Sequence, residues 1–315
     1  MPDLLSHFFL SFSLVILLRI KEEDYRKFFI LGSMLPDISR IITMFPDIIK
    51  IIIGKNNFLN FIAQPYTFYI LAEPLHTPFS ILLISLGLSY FFNKKRQRDV
   101  FVLLLLGSVF HIFLDVMQNY IGFGILLLYP LSLKEYYLGL FEQSYIYTPF
   151  FSLGLFLFCK IVIDKRINNK VTERIKISLK LKNVAILLLI LFFIFCVSFL
   201  TYNEFIKNNV HSLNFLISHE GWENKKVGLY VSEVLDSNRS GNTFTLEEES
   251  STFIVLCNEL PYKGEWISLV GTYIGNNKIQ CEHWIHENLE FKLLTSLLGS
   301  ILFIYYFFSH KTYKW

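Results

Sequence analysis

The stretch GSVFHIFLDVMQNY, residues 107–120, continues the apolar run VFVLLLLG at residues 100–107 as one long hydrophobic segment. Within it, His111 and Asp115 are four residues apart, which places both side chains on one face of a helix, with Cβ atoms about 6 Å apart. A charged Asp at the centre of a bilayer costs about 2.5–3.5 kcal/mol on insertion scales. The rest of the sequence should therefore supply a group that offsets this cost.

The composition indicates an integral membrane protein. Of 315 residues, 53% are hydrophobic and 17% are charged, and 33 are Phe, which is too apolar for an ordinary soluble domain. Segments of about 20 mostly apolar residues are typical of membrane spans. The sequence predicts six of them, at residues 4–20, 66–92, 100–117, 147–163, 184–202 and 291–308. Residues 28–53, interrupted by Pro36 and Pro46, predict a half-span or re-entrant segment.

The basic residues predict the orientation of these spans. Lys and Arg are concentrated in three loops, at residues 19–27, 93–98 and 164–182, and the positive-inside rule places all three in the cytoplasm. The N-terminus and residues 204–290 are then extracytoplasmic. The net charge of +3 does not indicate nucleic-acid binding, because the basic residues lie beside spans.

The fold class that we expect is mainly α, a polytopic membrane helical bundle, with a small all-β domain added to it. The predicted segments are a membrane-embedded domain at 1–166, a basic cytoplasmic linker at 167–183, a transmembrane helix at 184–203, the β domain at 204–290, and a transmembrane helix with a cytoplasmic tail at 291–315.

The β domain is predicted from five short, β-branched segments separated by Gly and Asn. Their order resembles an OB-fold barrel, with Gly228 and Gly271 at its sharp bends. OB-folds often bind single-stranded nucleic acid, but this segment has no basic groove with interleaved aromatic residues, so a nucleic-acid partner is not expected. Cys257 and Cys281 both fall in this domain, and the sequence leaves open whether they form a disulfide.

Five potential metal ligands recur at the predicted outer ends of the spans. They are His7, Asp37, His76, His111 and Asp115. Each alone is compatible with a structural hydrogen bond or a helix cap, but independent structural residues would not all select one depth. His and Asp together suit Zn²⁺, with Mn²⁺ and Fe as alternatives. A bound divalent cation would also offset the cost of burying the carboxylates.

This ligand set predicts metal-dependent hydrolysis, because a divalent metal activates water near neutral pH. Asp37, either as fifth ligand or as base, and Glu73, one turn before His76, are the expected proton acceptors. A site at this depth in a bilayer favours a lipid or lipid-linked ester or phosphoester as substrate. Arg40 would pair with an anionic head group or form a structural salt bridge.

Two functions of other classes remain open at this point. The chain would be a non-enzymatic membrane scaffold if the barrel binds a partner and the polar residues only join helices. It would be an ion or metal transporter if the intramembrane His and Asp mark an ion path. A transport path should continue toward the cytoplasm, whereas these residues gather at one depth.

The order of the motifs resembles the YdjM-like family of integral-membrane proteins, which are described as metal-dependent hydrolases. The motifs are SH at His7, GSMLPD ending at Asp37, LHTPFS around His76 and HIFLDVMQNYIGFGILLLYPLS from His111 to Ser132. The resemblance covers about residues 1–165 and implies a hydrolase. Ser39 and Arg40 replace residues with which the family often continues, which argues against a second metal. The barrel and the last two spans lie beyond the resemblance, and we expect them to be an appended module.

Overall fold

The computed structural model describes residues 4–37, 73–119, 124–142, 147–163, 179–208, 215, 219–248 and 251–309. The helices are α1 (Leu4–Leu17), α2 (Glu23–Met34), α3 (Pro78–Ser89), α4 (Lys94–Val116), α5 (Tyr147–Phe158), α6 (Leu181–Asn208) and α7 (Leu289–Ser309). The strands are β1 (Gln118–Asn119), β2 (Phe141–Glu142), β3 (Lys226–Asn238), β4 (Thr243–Glu248), β5 (Ser251–Leu256), β6 (Trp266–Gly275) and β7 (Lys278–His286). The protein is thus mainly helical with a β domain in its C-terminal part, as predicted.

One face of α4 is buried from Val100 to Asp115. Its buried residues recur at the three- and four-residue spacing of a helix stripe: Val100, Leu104, Gly107, Ser108, His111, Ile112 and Asp115. The stripe is apolar at the end near Lys94 and polar at the end near Val116. The two candidate ligands of α4 therefore lie inside the helical bundle.

Helices α2 and α4 approach so closely that their backbones touch. A Cβ atom on Gly32 would collide with the carbonyl group of Leu104, and one on Gly107 would collide with the carbonyl oxygen of Phe29. Ser108 Oγ donates a hydrogen bond to the carbonyl oxygen of Gly32 at 2.7 Å across this contact. Small residues on both sides of a crossing let helices pack this tightly in a membrane. This contact sets the position of the polar end of α4.

Among the described residues, two helices are long and apolar enough to cross a membrane, Lys94–Val116 and Leu181–Thr201. Four other predicted spans correspond to shorter apolar stretches, at Leu4–Leu17, Pro78–Ser89, Tyr147–Ile163 and Leu294–Phe308. The 14 residues of α1 extend over about 21 Å, which is less than the roughly 30 Å of a hydrocarbon core. Two of the six predicted spans therefore correspond to span-length apolar helices, whereas α1 and α3 are shorter than a span.

The predicted span 66–92 is not one helix in its described part. A 3-10 helix, Glu73–His76, comes first, and α3 begins only after Thr77, whose Oγ1 caps it. Pro78 lacks an N–H group and is favoured at the first position of a helix, where it starts a new segment. The break corrects the predicted span, and it puts His76 directly before the start of α3.

Strands β3 to β7 close into a barrel in the order β3-β4-β5-β7-β6. Neighbouring strands in this part of the structure are antiparallel, except for β5 and β7, which run parallel. A closed five-stranded barrel with this order of strands is the arrangement of an OB-fold. The predicted OB-like barrel is thereby confirmed.

The barrel interior is filled by apolar side chains that alternate along each strand. Its buried core consists of Phe215, Val227, Leu229, Val234, Phe244, Leu246, Phe253, Val255, Ile267, Leu269, Tyr273 and Ile279. Gly271 lies at a register shift between β6 and β7, and a Cβ atom there would collide with the carbonyl oxygen of Gln280. The strands approach too closely at Gly271 for any side chain, and the predicted sharp bends at Gly228 and Gly271 stay predictions.

Helix α7 follows the barrel and packs against α1 of the body. A Cβ atom on Gly299 would collide with the backbone of Leu4 and Leu5, so the two helices touch there. Further along, the ring of Tyr306 packs edge-on against Phe8 and Phe12, with centroids 6.1 and 4.9 Å away. The structure thus packs α7 on the bundle that holds α1, and the expectation of an appended module stays a prediction.

Candidate metal centre

The direction of successive helices brings the five predicted ligands to one end of the bundle. His7 lies one turn into α1 and Asp37 follows the end of α2, while His76 precedes α3 and both His111 and Asp115 lie near the end of α4. All five side chains are buried. They form two overlapping groups around His111, in each of which the potential ligand atoms lie within 4.8 Å of one another.

The carboxylate of Asp115 lies at the centre of the cluster. His76 Nε2 is 2.5 Å from Asp115 Oδ2, and His111 Nε2 is 3.2 Å from the same oxygen. His7 Nε2 is 3.3 Å from Asp115 Oδ1. The rings of His7 and His111 stack, with centroids 3.8 Å apart and planes inclined by 16°. Three imidazole nitrogens from three segments of the chain thus converge on one carboxylate.

A backbone carbonyl of α2 fixes the orientation of the His111 ring. His111 Nδ1 lies 2.6 Å from the carbonyl oxygen of Ser33. A carbonyl oxygen can only accept, so Nδ1 carries the hydrogen and donates it, and Nε2 is directed to the cluster. The close contacts of Gly32 with Leu104 and of Gly107 with Phe29 make this bond possible, because any side chain at either glycine would separate the helices.

Asp37 supplies a second carboxylate beside His76 and His111. Its Oδ1 is 3.9 Å from His76 Nδ1 and 3.7 Å from His111 Nε2. Both separations exceed the length of a direct hydrogen bond. They suit a carboxylate that reaches the imidazoles through a shared ligand or a water molecule. The remainder of the predicted segment 28–53, after Asp37, lies outside the described residues.

The donor set fits a divalent metal ion. Three buried ring nitrogens have no hydrogen-bond partner among the described residues. They are both nitrogens of His7 and Nδ1 of His76. A lone pair on His111 Nε2 facing Asp115 Oδ2 would be repelled unless a proton or a cation lay between them. Ligands about 2.0–2.1 Å from a tetrahedral Zn²⁺ are about 3.3 Å apart. Three distances in the cluster are close to this value. The Nε2 atoms of His76 and His111 are 3.1 Å apart. The carboxylate of Asp115 is 3.2 Å from His111 Nε2 and 3.3 Å from His7 Nε2.

Gln118 is a site residue that sequence reasoning missed. Its Nε2 donates to Asp115 Oδ1 at 3.3 Å, and its side chain is buried. Its Oε1 has no hydrogen-bond partner among the described residues. Its spacing could have identified it, because Gln118 lies three residues after Asp115 and continues the same helix face beyond the end of α4. The Ser33 carbonyl carries no sequence signal at all, because every residue has one.

For two residues with predicted roles, the structure does not describe the side chain. Glu73 begins the 3-10 helix, but its side chain is not among the described groups, and Arg40 lies outside the described residues. Their predicted roles stay predictions. Among the other histidines, His283 and His286 are exposed on β7, as expected for surface positions on the strand.

The comparison with known families agrees with the motifs. The family model described as YdjM inner membrane protein matches residues 1–205. The match contains all five predicted ligands and, ending at 205 rather than near 165, includes most of α6 as well. No curated protein and no solved structure matches the chain. With 205 of its 315 residues matched, the chain belongs to the YdjM inner membrane protein family.

Proposed function

We propose that this protein is a membrane-embedded, metal-dependent hydrolase that acts on a lipid or a lipid-linked ester or phosphoester. The observation that carries the proposal is the convergence of three buried imidazoles on the carboxylate of Asp115, with the carboxylate of Asp37 beside them. Such a set of nitrogen and oxygen donors favours Zn²⁺, with Mn²⁺ and Fe as alternatives.

The residues of the site have separate tasks in this proposal. A divalent ion held by the three histidines and Asp115 would supply Lewis-acid activation of water. The Ser33 carbonyl keeps the hydrogen of His111 on Nδ1 and so leaves Nε2 for the ion. Gln118 donates to Oδ1 of Asp115 and orients that carboxylate. Asp37, 3.7 Å from His111 Nε2, acts as a fifth ligand or accepts a proton on its carboxylate, and Glu73 is the second candidate base.

A lipid substrate is supported by the apolar surface next to the site. The backbone of Leu138 and Leu140 is hydrogen-bonded to Val116 and Met117 at the end of α4, immediately after Asp115. Both leucine side chains are 60% exposed, and Leu131 in the same segment is 93% exposed. Exposure of such an apolar surface to water is unfavourable, whereas acyl chains at the membrane interface would cover it. An amphiphile lying in the bilayer would therefore reach the site without leaving the membrane.

The proposed orientation places the site in the outer half of the membrane. Helix α4 begins in the basic loop NKKRQR and ends beside the cluster, so the two lie at opposite ends of one span. With the basic loop in the cytoplasm, the site and residues 204–290 are extracytoplasmic. The protein would then act on the outer leaflet of the inner membrane.

The buried face of α4 also argues against a transport path. From Ser108 toward the basic loop, the next buried side chains of the helix are Leu104 and Val100. Along this helix, the buried polar side chains therefore end about three turns before the basic loop. An ion path across the membrane would need polar groups to continue along this line.

Metal content by mass spectrometry on protein purified in detergent tests the proposal. Wild type should hold about one transition-metal ion per chain, and the double variant His111→Ala/Asp115→Ala less than about a tenth of that. The matched control is His283→Ala/His286→Ala, which removes two exposed histidines of the barrel and should leave the metal content unchanged. A folded wild type without metal, even after reconstitution with Zn²⁺ and Mn²⁺, would contradict the proposal and favour the scaffold.

Hydrolysis needs its own measurement. Metal-loaded wild type in mixed micelles should release product from chromogenic amphiphilic carboxylic esters or phosphoesters, and the double variant should not. If wild type binds metal but cleaves neither class, the metal centre would stand and the hydrolase would be rejected for these substrates.

A further inference from the structure

The parallel seam between β5 and β7 in the described barrel brings two cysteines opposite each other. Strands β5 and β7 pair in register at Ile254 with Lys278, Val255 with Ile279 and Leu256 with Gln280. Cys257 follows Leu256 and Cys281 follows Gln280, so the same register continued by one residue pairs these two cysteines. Neighbouring strands are about 4.8 Å apart, which lies within the Cα separations of about 4.4–6.8 Å that disulfides span.

The two side chains also point in the same direction. Both are half-buried, and both pack against the apolar core of the barrel. The backbone N–H of Cys257 donates to the carbonyl oxygen of Asn242 at 3.0 Å, which holds the chain in place after β5 ends. On its other side, Cys281 pairs with Gly271, which has no side chain that could come between the thiols.

The thiols interact with each other in the structure, which holds them in the reduced form. Burial raises the pKa of the Cys281 thiol above its usual value, and a side-chain hydrogen bond with Cys257 raises this pKa further. Cys281 therefore stays protonated near neutral pH. Attack on an external disulfide requires a thiolate, so Cys281 is not the thiol that reacts first.

We propose that Cys257 and Cys281 form a structural disulfide that closes the β5–β7 seam of the barrel. The oxidant is a disulfide, R–S–S–R, of the kind that thiol–disulfide oxidoreductases donate. The Cys257 thiolate attacks one of its sulfurs, forming a mixed disulfide and releasing R–SH after protonation. Cys281 loses its proton and attacks the Cys257 sulfur, which forms the Cys257–Cys281 bond and releases the second R–SH. Two thiols are oxidised and one disulfide is reduced, so the exchange balances.

The disulfide would reinforce the weakest part of the barrel. The β5–β7 seam has three register pairs, fewer than any other seam in the described barrel, and it is the one parallel seam. Parallel pairing is slightly less stable per residue than antiparallel pairing. The bond would also close a loop of about 25 residues, which restricts the unfolded chain. This proposal rests on the proposed extracytoplasmic position of the barrel, where disulfides persist, but not on the metal centre.

Alkylation of the full-length protein in isolated membranes tests the disulfide. Under denaturing conditions without reductant, Cys257 and Cys281 should resist alkylation, and digestion should yield the two joined peptides. Reduction should separate the peptides and make both cysteines reactive. Cys159 and Cys196 of the helical body serve as internal controls, because they should be alkylated with and without reductant. Alkylation of Cys257 and Cys281 without reductant, even after treatment with oxidised glutathione, would overturn the proposal.

A thermal measurement separates a structural bond from an incidental one. Trp222, Trp266 and Trp284 lie in or beside the barrel and report its unfolding by fluorescence. Reductant should lower the Tm of the wild-type barrel by about 10 °C or more, and it should not shift that of Cys257→Ser/Cys281→Ser. An equal shift in both proteins, or none in wild type, would exclude a structural disulfide. Metal content is measured on the same samples, so failure of the disulfide can be distinguished from failure of the metal centre.

Discussion

The helical body and the barrel differ in the side chains that they expose. In α6 of the body, Phe192 and Phe199 are 67% and 70% exposed, while the His and Asp cluster is buried inside the bundle. In the barrel, the charged residues Lys226 and Glu282 form an ion pair on the surface. Both parts bury apolar side chains in their cores, so the contrast lies in the apolar surface of α6 and in the polar cluster inside the body.

The difference follows from the solvent that each part meets. Water drives the apolar side chains of the barrel into its interior, so the barrel core is apolar. Lipid gives no such force between helices, so the body depends on close packing and on polar contacts inside it. The interior of the body is therefore the place where polar residues find their partners.

The largest effect is expected from adding a side chain where α2 and α4 touch. Gly107→Ala would place a methyl group against the Phe29 carbonyl oxygen, and separating the helices would stretch the bonds from Ser108 to Gly32 and from His111 to Ser33. The free energy of unfolding should fall by about 3–5 kcal/mol, from overpacking and two weakened hydrogen bonds. Metal content should fall with it. Thermal unfolding in detergent and metal analysis measure both effects.

Gly154→Ala is the matched control for this variant. Gly154 lies in α5, and a Cβ atom there has nothing within 4 Å. Because alanine favours helix, this change should raise stability slightly, by at most about 1 kcal/mol, and leave the metal in place. Equal metal content in both variants would show that the close α2–α4 contact does not support the site.

A smaller effect, confined to the barrel, is expected from Gly271→Ala. The added methyl group would collide with the Gln280 carbonyl oxygen and push β6 away from β7. Tryptophan fluorescence should show the barrel destabilised by about 1–3 kcal/mol, while metal content stays at the wild-type level. Ile274→Ala, at an exposed position on the same strand, should cost less than about 1 kcal/mol. If Gly271→Ala also released the metal, the two regions would not be independent.

The smallest effect is expected from Gln118→Ala. Removing the side chain leaves Asp115 Oδ1 without the donor that orients it, and the affinity for metal should fall by about tenfold. Competition with a chelator of known affinity measures this change. Gln280→Ala, at an exposed position in the barrel, is the matched control and should have no effect. An unchanged affinity in Gln118→Ala would mean that Gln118 plays no part in positioning the carboxylate.

Much of the fold was predictable because it depends on local patterns. Hydropathy predicted the long helix that carries His111 and Asp115, and the alternation of apolar residues predicted the strands of the barrel. The lengths of the spans were less predictable: Pro78 and its neighbours end and start helices within an apolar run, so hydropathy alone overestimates the run. The packing of α7 on α1 was not predicted, because nothing in the sequence around Gly299 indicates that it contacts Leu4 and Leu5, almost 300 residues earlier in the chain.

The sequence by itself determined the class of the protein, its family and the five candidate ligands, because residue types and their order carry hydrophobicity and metal-binding chemistry directly. Only the tertiary structure decided that the three histidines meet at Asp115, that the Ser33 carbonyl orients His111, and that Cys257 lies across from Cys281. Such contacts join residues up to 108 positions apart, as between His7 and Asp115. They depend on how closely helices and strands approach, and that distance is set by packing against residues that are remote in the chain.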